Sequence, residues 1–208
     1  IKQSFPAMRA AADAAAQRLD ARCGVPLDIE AETSHAAADV IFRTLFSIPI
    51  EDAMARAVFD AFRTYQRSHP LLNLAAFVPL PGWVPRLFRQ DTRASATHIR
   101  ALITTLTEKR LGEIARGTAP DDLATKILTT ADPVTGARLS AAEMVDQVAI
   151  FFLAGHETSA AALAWALYLL ATHPEWQDRV AAEKQAVEEV DNAALKRLKI
   201  ARDVVRET

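Results

Sequence analysis

The sequence predicts a mainly α protein arranged around one long central helix, on three observations. The 208 residues include only six glycines. No stretch shows the apolar–polar alternation of a half-buried strand, and Ala, Leu, Arg and Glu are used heavily throughout. The length suits one or two domains and can bury a substantial core.

Taken in order, the first helix is expected over about 3–21, and Gly24-Val25-Pro26 is a turn signal after it. Helices over about 31–47 and 51–68 follow. His69 to Phe88 holds four of the ten prolines, so a continuous helix is not expected there. That segment is too apolar for an ordinary solvated connection, and it reads either as a loop packed on the core or as a lid over an apolar pocket. Helices over 91–117 and 120–131 come next, then the turn Pro133-Val134-Thr135-Gly136. Ser140 and Glu143 fit a capping box opening the central helix, about 141–171, which nothing stops before His173-Pro174. Such a rod is roughly 45 Å long. Two helices, over 174–190 and 193–208, complete the pattern.

The totals exclude several functions. With 24 basic and 26 acidic residues the net charge is −2, which gives no sign of a nucleic-acid or anionic-membrane partner. Cys23 is the only cysteine, so neither a disulfide framework nor a cysteine-rich metal site can form, and a reducing, cytoplasmic setting is expected. Val148 to Ala171 is long enough to cross a bilayer. His156 and Glu157 lie near its centre, however, where a charge costs at least about 2.5 kcal/mol. We read the segment as the buried helix of a soluble protein.

Chemistry concentrates in "FFLAGHETSAAALAWALYLL", Phe151 to Leu170, where Gly155, His156, Glu157 and Thr158 interrupt an apolar run. At roughly 100° per residue, Ala154, Gly155, Thr158, Ala161 and Ala162 share a stripe that a planar group or a second helix could approach closely. Gly155 weakens the helix by about 1 kcal/mol relative to Ala, and the Thr158 hydroxyl can bond back to a carbonyl, so a distorted turn is expected there. Glu157 and Thr158 would place an acid and an alcohol beside the opening, as a buried proton relay requires. Each residue also has a plainer reading. Small residues on a stripe often mean close helix packing, which would suffice for Ala161 and Ala162, and a buried Thr often bonds only its own backbone. A buried carboxylate is harder to dismiss, because it needs a partner or a task. His156 points away from the stripe and is expected to support the site from behind or to face solvent. The zinc-protease pattern His-Glu-x-x-His is excluded, since residue 160 is Ala.

Ala154-Gly155-His156-Glu157-Thr158-Ser159 resembles the oxygen-activation motif of the cytochrome P450 superfamily, the haem-thiolate monooxygenases. The context is similar too. "LATHPEWQDRVAAE", Leu170 to Glu183, looks like the turn and charged helix that follow this motif in the family. "VPLDIEAETSHAAADVIFRTLFSIPIE" looks like the helix before the lid, and residues 69–88 fall where the family keeps that lid. "LKRLKIARDVVRET" looks like the approach to the family's Glu-x-x-Arg helix, with Glu207 as its Glu. The resemblance covers essentially all 208 residues but only the middle of the family's chain. It implies the central part of that fold, a single partial domain over 1–208, with the family's small sheets mostly elsewhere. The family's Phe-x-x-Gly-x-Arg-x-Cys loop is not in this sequence, and Cys23 in "ARCGVP" has the wrong surroundings for the axial ligand. By itself the chain is expected to form no thiolate-ligated haem.

The resemblance further implies a haem cofactor and a small apolar organic substrate oxygenated by O2. Electrons would come from NAD(P)H through a ferredoxin or flavoprotein reductase. Ala154 and Gly155 would face the haem, and Thr158 would hydrogen-bond the bound oxygen. Glu157 would feed protons toward it. Phe151, on a similar stripe about one turn earlier, would touch substrate or else pack in the core; Ala154 would also line the substrate site. The main rival is an all-α ligand-binding domain of a transcription regulator, which calls for a basic helix-turn-helix module not found here. A purely structural helical bundle would leave the Gly-His-Glu-Thr interruption unexplained.

Overall fold

Side-chain caps set most of the helix starts among the described residues. The computed structural model describes residues 3–68 and 90–208, so the segment expected to be a loop or lid lies outside the described residues. The helices are α1 (Phe5–Asp20), α2 (Ile29–Phe46), α3 (Ala53–Ser68), α4 (Gln90–Ala115), α5 (Leu123–Thr129), α6 (Ala141–Thr172), α7 (Pro174–Gln185) and α8 (Lys199–Arg206). Among the described residues there is no strand, and an isolated antiparallel bridge joins Ala131 to Arg138. The mainly α expectation holds.

Asp28 accepts the Ala31 N–H at 3.2 Å and starts α2 slightly ahead of the expected residue 31. Ser47, left-handed at φ 57°, closes that helix. Asp52 accepts from the Met54 and Ala55 N–H groups at 2.9 and 3.3 Å at the head of α3. Ser140 and Glu143 form the expected capping box. The Ser140 N–H and hydroxyl donate to Glu143 Oε2 at 2.8 and 2.7 Å, and the Glu143 N–H donates to Ser140 Oγ at 3.3 Å. These bonds, the backbone N–H of Ser140 first, hold the Glu143 carboxyl below the usual range.

The C-terminal part departs from the pattern read in the sequence. The helix expected over 174–190 stops at Gln185, and the one expected over 193–208 becomes a 3₁₀ turn, Ala194–Lys196, followed by α8. Asp191 caps the turn through the Ala194 N–H at 2.6 Å. The Glu183 carboxylate, from α7, accepts the Ile200 and Ala201 N–H groups at 2.9 and 3.0 Å and so caps α8 from a distance. Desolvation pushes the Glu183 carboxyl up, but the backbone N–H groups of Ile200, Ala201 and Lys199 outweigh it and leave its pKa lowered.

The chain divides into two compact units, Ile1–Pro49 with Ile150–Thr208, and Ile50–Ala149. In the first, α1 packs on α2, and Ala38, Phe42, Leu45, Phe46 and Phe152 are buried. In the second, α3 packs on α4 around Val58, Phe62, Ile103 and Met144. That unit also buries an ion pair. Arg110 and Asp122 bond directly, and Arg110 reaches Glu113 at 2.8 Å and the Thr125 hydroxyl at 2.9 Å. Asp122 also accepts the Thr125 N–H at 3.0 Å, so one carboxylate caps α5 and ties it to α4.

Candidate functional site

Helix α6 carries the motif, and its phase separates the motif residues. Successive side chains turn by roughly 100°, which puts Phe152, His156 and Ala160 on one side and Ala154, Thr158 and Ala161 on the other. The first three are buried; the second three are exposed. Exposed Ile150, Phe151, Leu153, Trp165 and Tyr168 flank the open side, making it apolar as well as low in relief around the alanines. Trp165 and Tyr168 meet edge to face, with ring centroids 5.7 Å apart.

The helix stays α-helical from Ala141 to Thr172, with no turn or π-helical residue at the motif. The expected distorted turn at Gly155 to Thr158 is therefore not present as an interruption. The Thr158 hydroxyl donates to the Ala154 carbonyl at 2.6 Å, the back-bond expected of it. A hydroxyl has one donor and two lone pairs, so in this rotamer Thr158 keeps acceptor capacity toward the open side. To donate elsewhere it must rotate away from Ala154.

Glu157 and Gly155 are placed otherwise than the sequence suggested, and His156 and Phe151 each take one of the two places it left open. Glu157 is exposed, so the argument from a buried carboxylate does not apply to it here. His156 is 2 % exposed and does not face solvent. Its Nε2 lies 2.7 Å from Ser34 Oγ on α2, and its ring stacks on Phe152 with centroids 5.1 Å apart. Gly155 does not share the open side. A Cβ built on it would lie 3.4 Å from Ile41 Cδ1, at the near edge of ordinary contact, so Gly155 faces α2. Phe151 is 43 % exposed and does not pack in the core, a role its neighbour Phe152 takes instead.

Ala154, Thr158 and Ala161 give a face that a planar macrocycle could approach without displacing a large side chain, so this side of α6 fits a haem. The described residues place no thiolate on this face for the iron. The single thiol, Cys23, is exposed in the turn after α1. Among the described residues no group of three or more His, Cys, Asp or Glu side chains could hold a metal ion. Glu207 lines a separate open cavity of about 400 Å³ with Leu169, Leu170, His173, Trp176, Asp203 and Val204.

The fold is similar to that of a haem-protein domain. It aligns with the crystal structure of cytochrome P450DA heme domain at a TM-score of 0.77 and 23% identity, covering 99% of this chain and 45% of that one. The chain belongs to the cytochrome P450 family, whose model matches residues 1–208. Among its relatives are cyclooctat-9-en-7-ol 5-monooxygenase of Streptomyces melanosporofaciens, 33% identical over 88% of this chain and 40% of that protein, and pentalenene oxygenase of Streptomyces avermitilis, 33% identical over 90% and 40%. The chain thus spans about two fifths of the length of these relatives. Family membership overturns the reading as a transcription regulator's ligand-binding domain.

Sequence reasoning missed Ser34, Arg110 and Asp122. Ser34 had no signal pointing to His156, 122 residues away. Asp122 could have been found as a helix N-cap three residues before Thr125, but not as the partner of Arg110.

Proposed function

We propose that the protein to which this chain belongs is a cytoplasmic haem-thiolate monooxygenase that inserts one atom of O2 into a small apolar organic substrate. Its electrons come from NAD(P)H through a ferredoxin or flavoprotein reductase. The observation that carries the reading is the open face of α6, where small side chains stand beside a hydroxyl and a carboxylate on an otherwise apolar surface. The two relatives named above, an oxygenase and a monooxygenase, support the reaction class.

When bound, the haem supplies the activation of dioxygen. The residues of this chain do the rest. Ala154 would leave room for the macrocycle and the reacting molecules. Thr158 Oγ1, already bonded to the Ala154 carbonyl, would accept a hydrogen bond from water and, by rotating, donate its own proton into the site. Glu157 would exchange protons between solvent and that water, a task for which its exposure on α6 suits it. Phe151 and the apolar side chains around it would exclude water from the substrate. Gly155 takes no direct part in this scheme and faces Ile41 of α2. Helix α6 is long and apolar enough to cross a membrane by length and composition. We read its exposed apolar side instead as the surface turned to haem and substrate.

The test is the absorption spectrum of the full-length protein, reduced and exposed to CO. A strongly red-shifted Soret band reports a thiolate ligand; a band without that shift refutes the proposed chemistry.

A further inference from the structure

The structure assigns the Ser34–His156 pair as a positioning device that fixes the rotation of α6 about its own axis and thereby aims Thr158. This inference rests on the role proposed for Thr158. Three contacts join α2 to the motif region of α6. Ser34 Oγ meets His156 Nε2 at 2.7 Å. Phe42 meets Phe152 with centroids 5.4 Å apart. Ile41 packs beside Gly155, 3.4 Å from where a Cβ would stand. Two of these contacts are apolar and non-directional, and they tolerate a small roll of one helix against the other. The hydrogen bond is directional and weakens steeply when bent, so of these three it is the one that defines an azimuth.

The position of the bond makes that azimuth matter. On an α-helix, residues two before and two after a given one lie roughly 160° away on either side of it. Ala154 and Thr158 therefore sit opposite His156, and the anchor lies directly behind the face it would aim. With side-chain atoms roughly 5–6 Å from the helix axis, a roll of about 10° moves the Thr158 hydroxyl by about 1 Å. Misplacements of that size cost catalytic steps up to about a hundredfold. The stack of His156 on Phe152, one turn earlier, holds the imidazole plane so that Nε2 meets Ser34. His156 touches none of the reacting groups in this scheme and acts only through Thr158.

Ser34→Ala removes the bond without adding bulk, and Ser34→Thr keeps the hydroxyl. Ile103→Val, in the buried core of the other unit, serves as a control for general loosening. Two readouts are compared: deuterium exchange of the peptide covering residues 150–162, and the fraction of consumed NAD(P)H recovered as hydrogen peroxide by the haem-loaded full-length protein. We expect Ser34→Ala to raise exchange in that peptide and to raise the peroxide fraction several-fold, with Ser34→Thr restoring both and Ile103→Val moving neither. Unchanged exchange or unchanged peroxide in Ser34→Ala overturns the assignment, as does an equal rise of both in Ile103→Val. Thr158→Ala, measured alongside, separates the two proposals. If it leaves the peroxide fraction unchanged, the role of Thr158 itself fails; if it raises the fraction while Ser34→Ala does not, only the positioning role fails.

Discussion

Two pairs of polar residues on this chain, Arg110 with Asp122 and Glu157 with Thr158, are held under opposite conditions. Arg110 and Asp122 are both within 7 % of full burial, and their partners include Glu113, the Thr125 hydroxyl and the Thr125 N–H. Glu157 and Thr158 are exposed on an apolar helix face, and the hydroxyl's hydrogen bond uses its donor but not its full acceptor capacity. Polar groups closed among themselves hold a corner of the fold together. The Thr158 hydroxyl, exposed on an apolar surface with lone pairs still able to accept, can take part in something else, which is what a site for chemistry requires.

The largest effect is expected at the closed pair. Asp122→Ala removes one of the two carboxylates that hold the buried Arg110 guanidinium and leaves Glu113 to balance it, so the loss should lie below the roughly 3–5 kcal/mol of a buried charge left without its partner. It also removes the α5 cap. The denaturation midpoint in urea should fall accordingly, with an unchanged slope. A shift no larger than that of a surface substitution would mean the corner is not closed as described.

Next is Thr158→Ala in the full-length enzyme. The change falls on an exposed helical position, so stability should stay within about 0.5 kcal/mol of the parent. In the proposed reaction proton delivery competes with loss of peroxide, so reductant consumption should persist while several-fold more of it appears as hydrogen peroxide and less as oxygenated product. Unchanged partitioning would return Thr158 to the plainer role of bonding its own backbone. Glu157→Gln keeps the shape and loses the titratable proton. It should slow turnover with less change in partitioning than Thr158→Ala, checked by steady-state rates with both products quantified. A rate equal to the parent's would remove Glu157 from the relay.

Much of this architecture was legible because it is local. The capping box of Ser140 and Glu143 spans three residues, and the apolar run of α6 ends at His173-Pro174, so both can be read along the chain. The back-bond of Thr158 to Ala154 spans one turn and was equally readable. What escaped depends on partners far away in sequence. Nothing near residue 156 indicates that an imidazole there meets Ser34, and a histidine amid small residues was as compatible with solvent as with burial. Glycine beside the motif suggested a distorted turn, whereas the helix runs on through it and the residue faces Ile41 of α2. The exposure of Glu157 could not be anticipated from an apolar run, because hydropathy does not say which side of a helix a neighbour covers.

The smallest effect tests the other feature that local reading missed, the start of α8. Helix propensity runs unbroken through 193–208, yet α8 begins at Lys199 because Glu183, from α7, accepts the Ile200 and Ala201 N–H groups. That carboxyl has a pKa lowered from its ordinary value of 4.5; desolvation acts against the lowering, and the backbone N–H groups of Ile200, Ala201 and Lys199 produce it. A depressed folded-state pKa means the interaction contributes its full stability above the unfolded value and loses it as pH falls through the folded one. Protection of the Ile200 and Ala201 amides, corrected for intrinsic exchange, should therefore be flat above about pH 5 and decline below 4.5. Glu183→Gln offers one neutral acceptor oxygen in place of two charged ones, so it should lower this protection at neutral pH and flatten its acid decline. The capping box at Ser140 provides the internal comparison, since Glu143 is also depressed and its decline should survive the Glu183 substitution. If the Ile200 and Ala201 amides keep the same acid decline in Glu183→Gln, another group starts α8, and the long-range cap does not explain why the helix begins there.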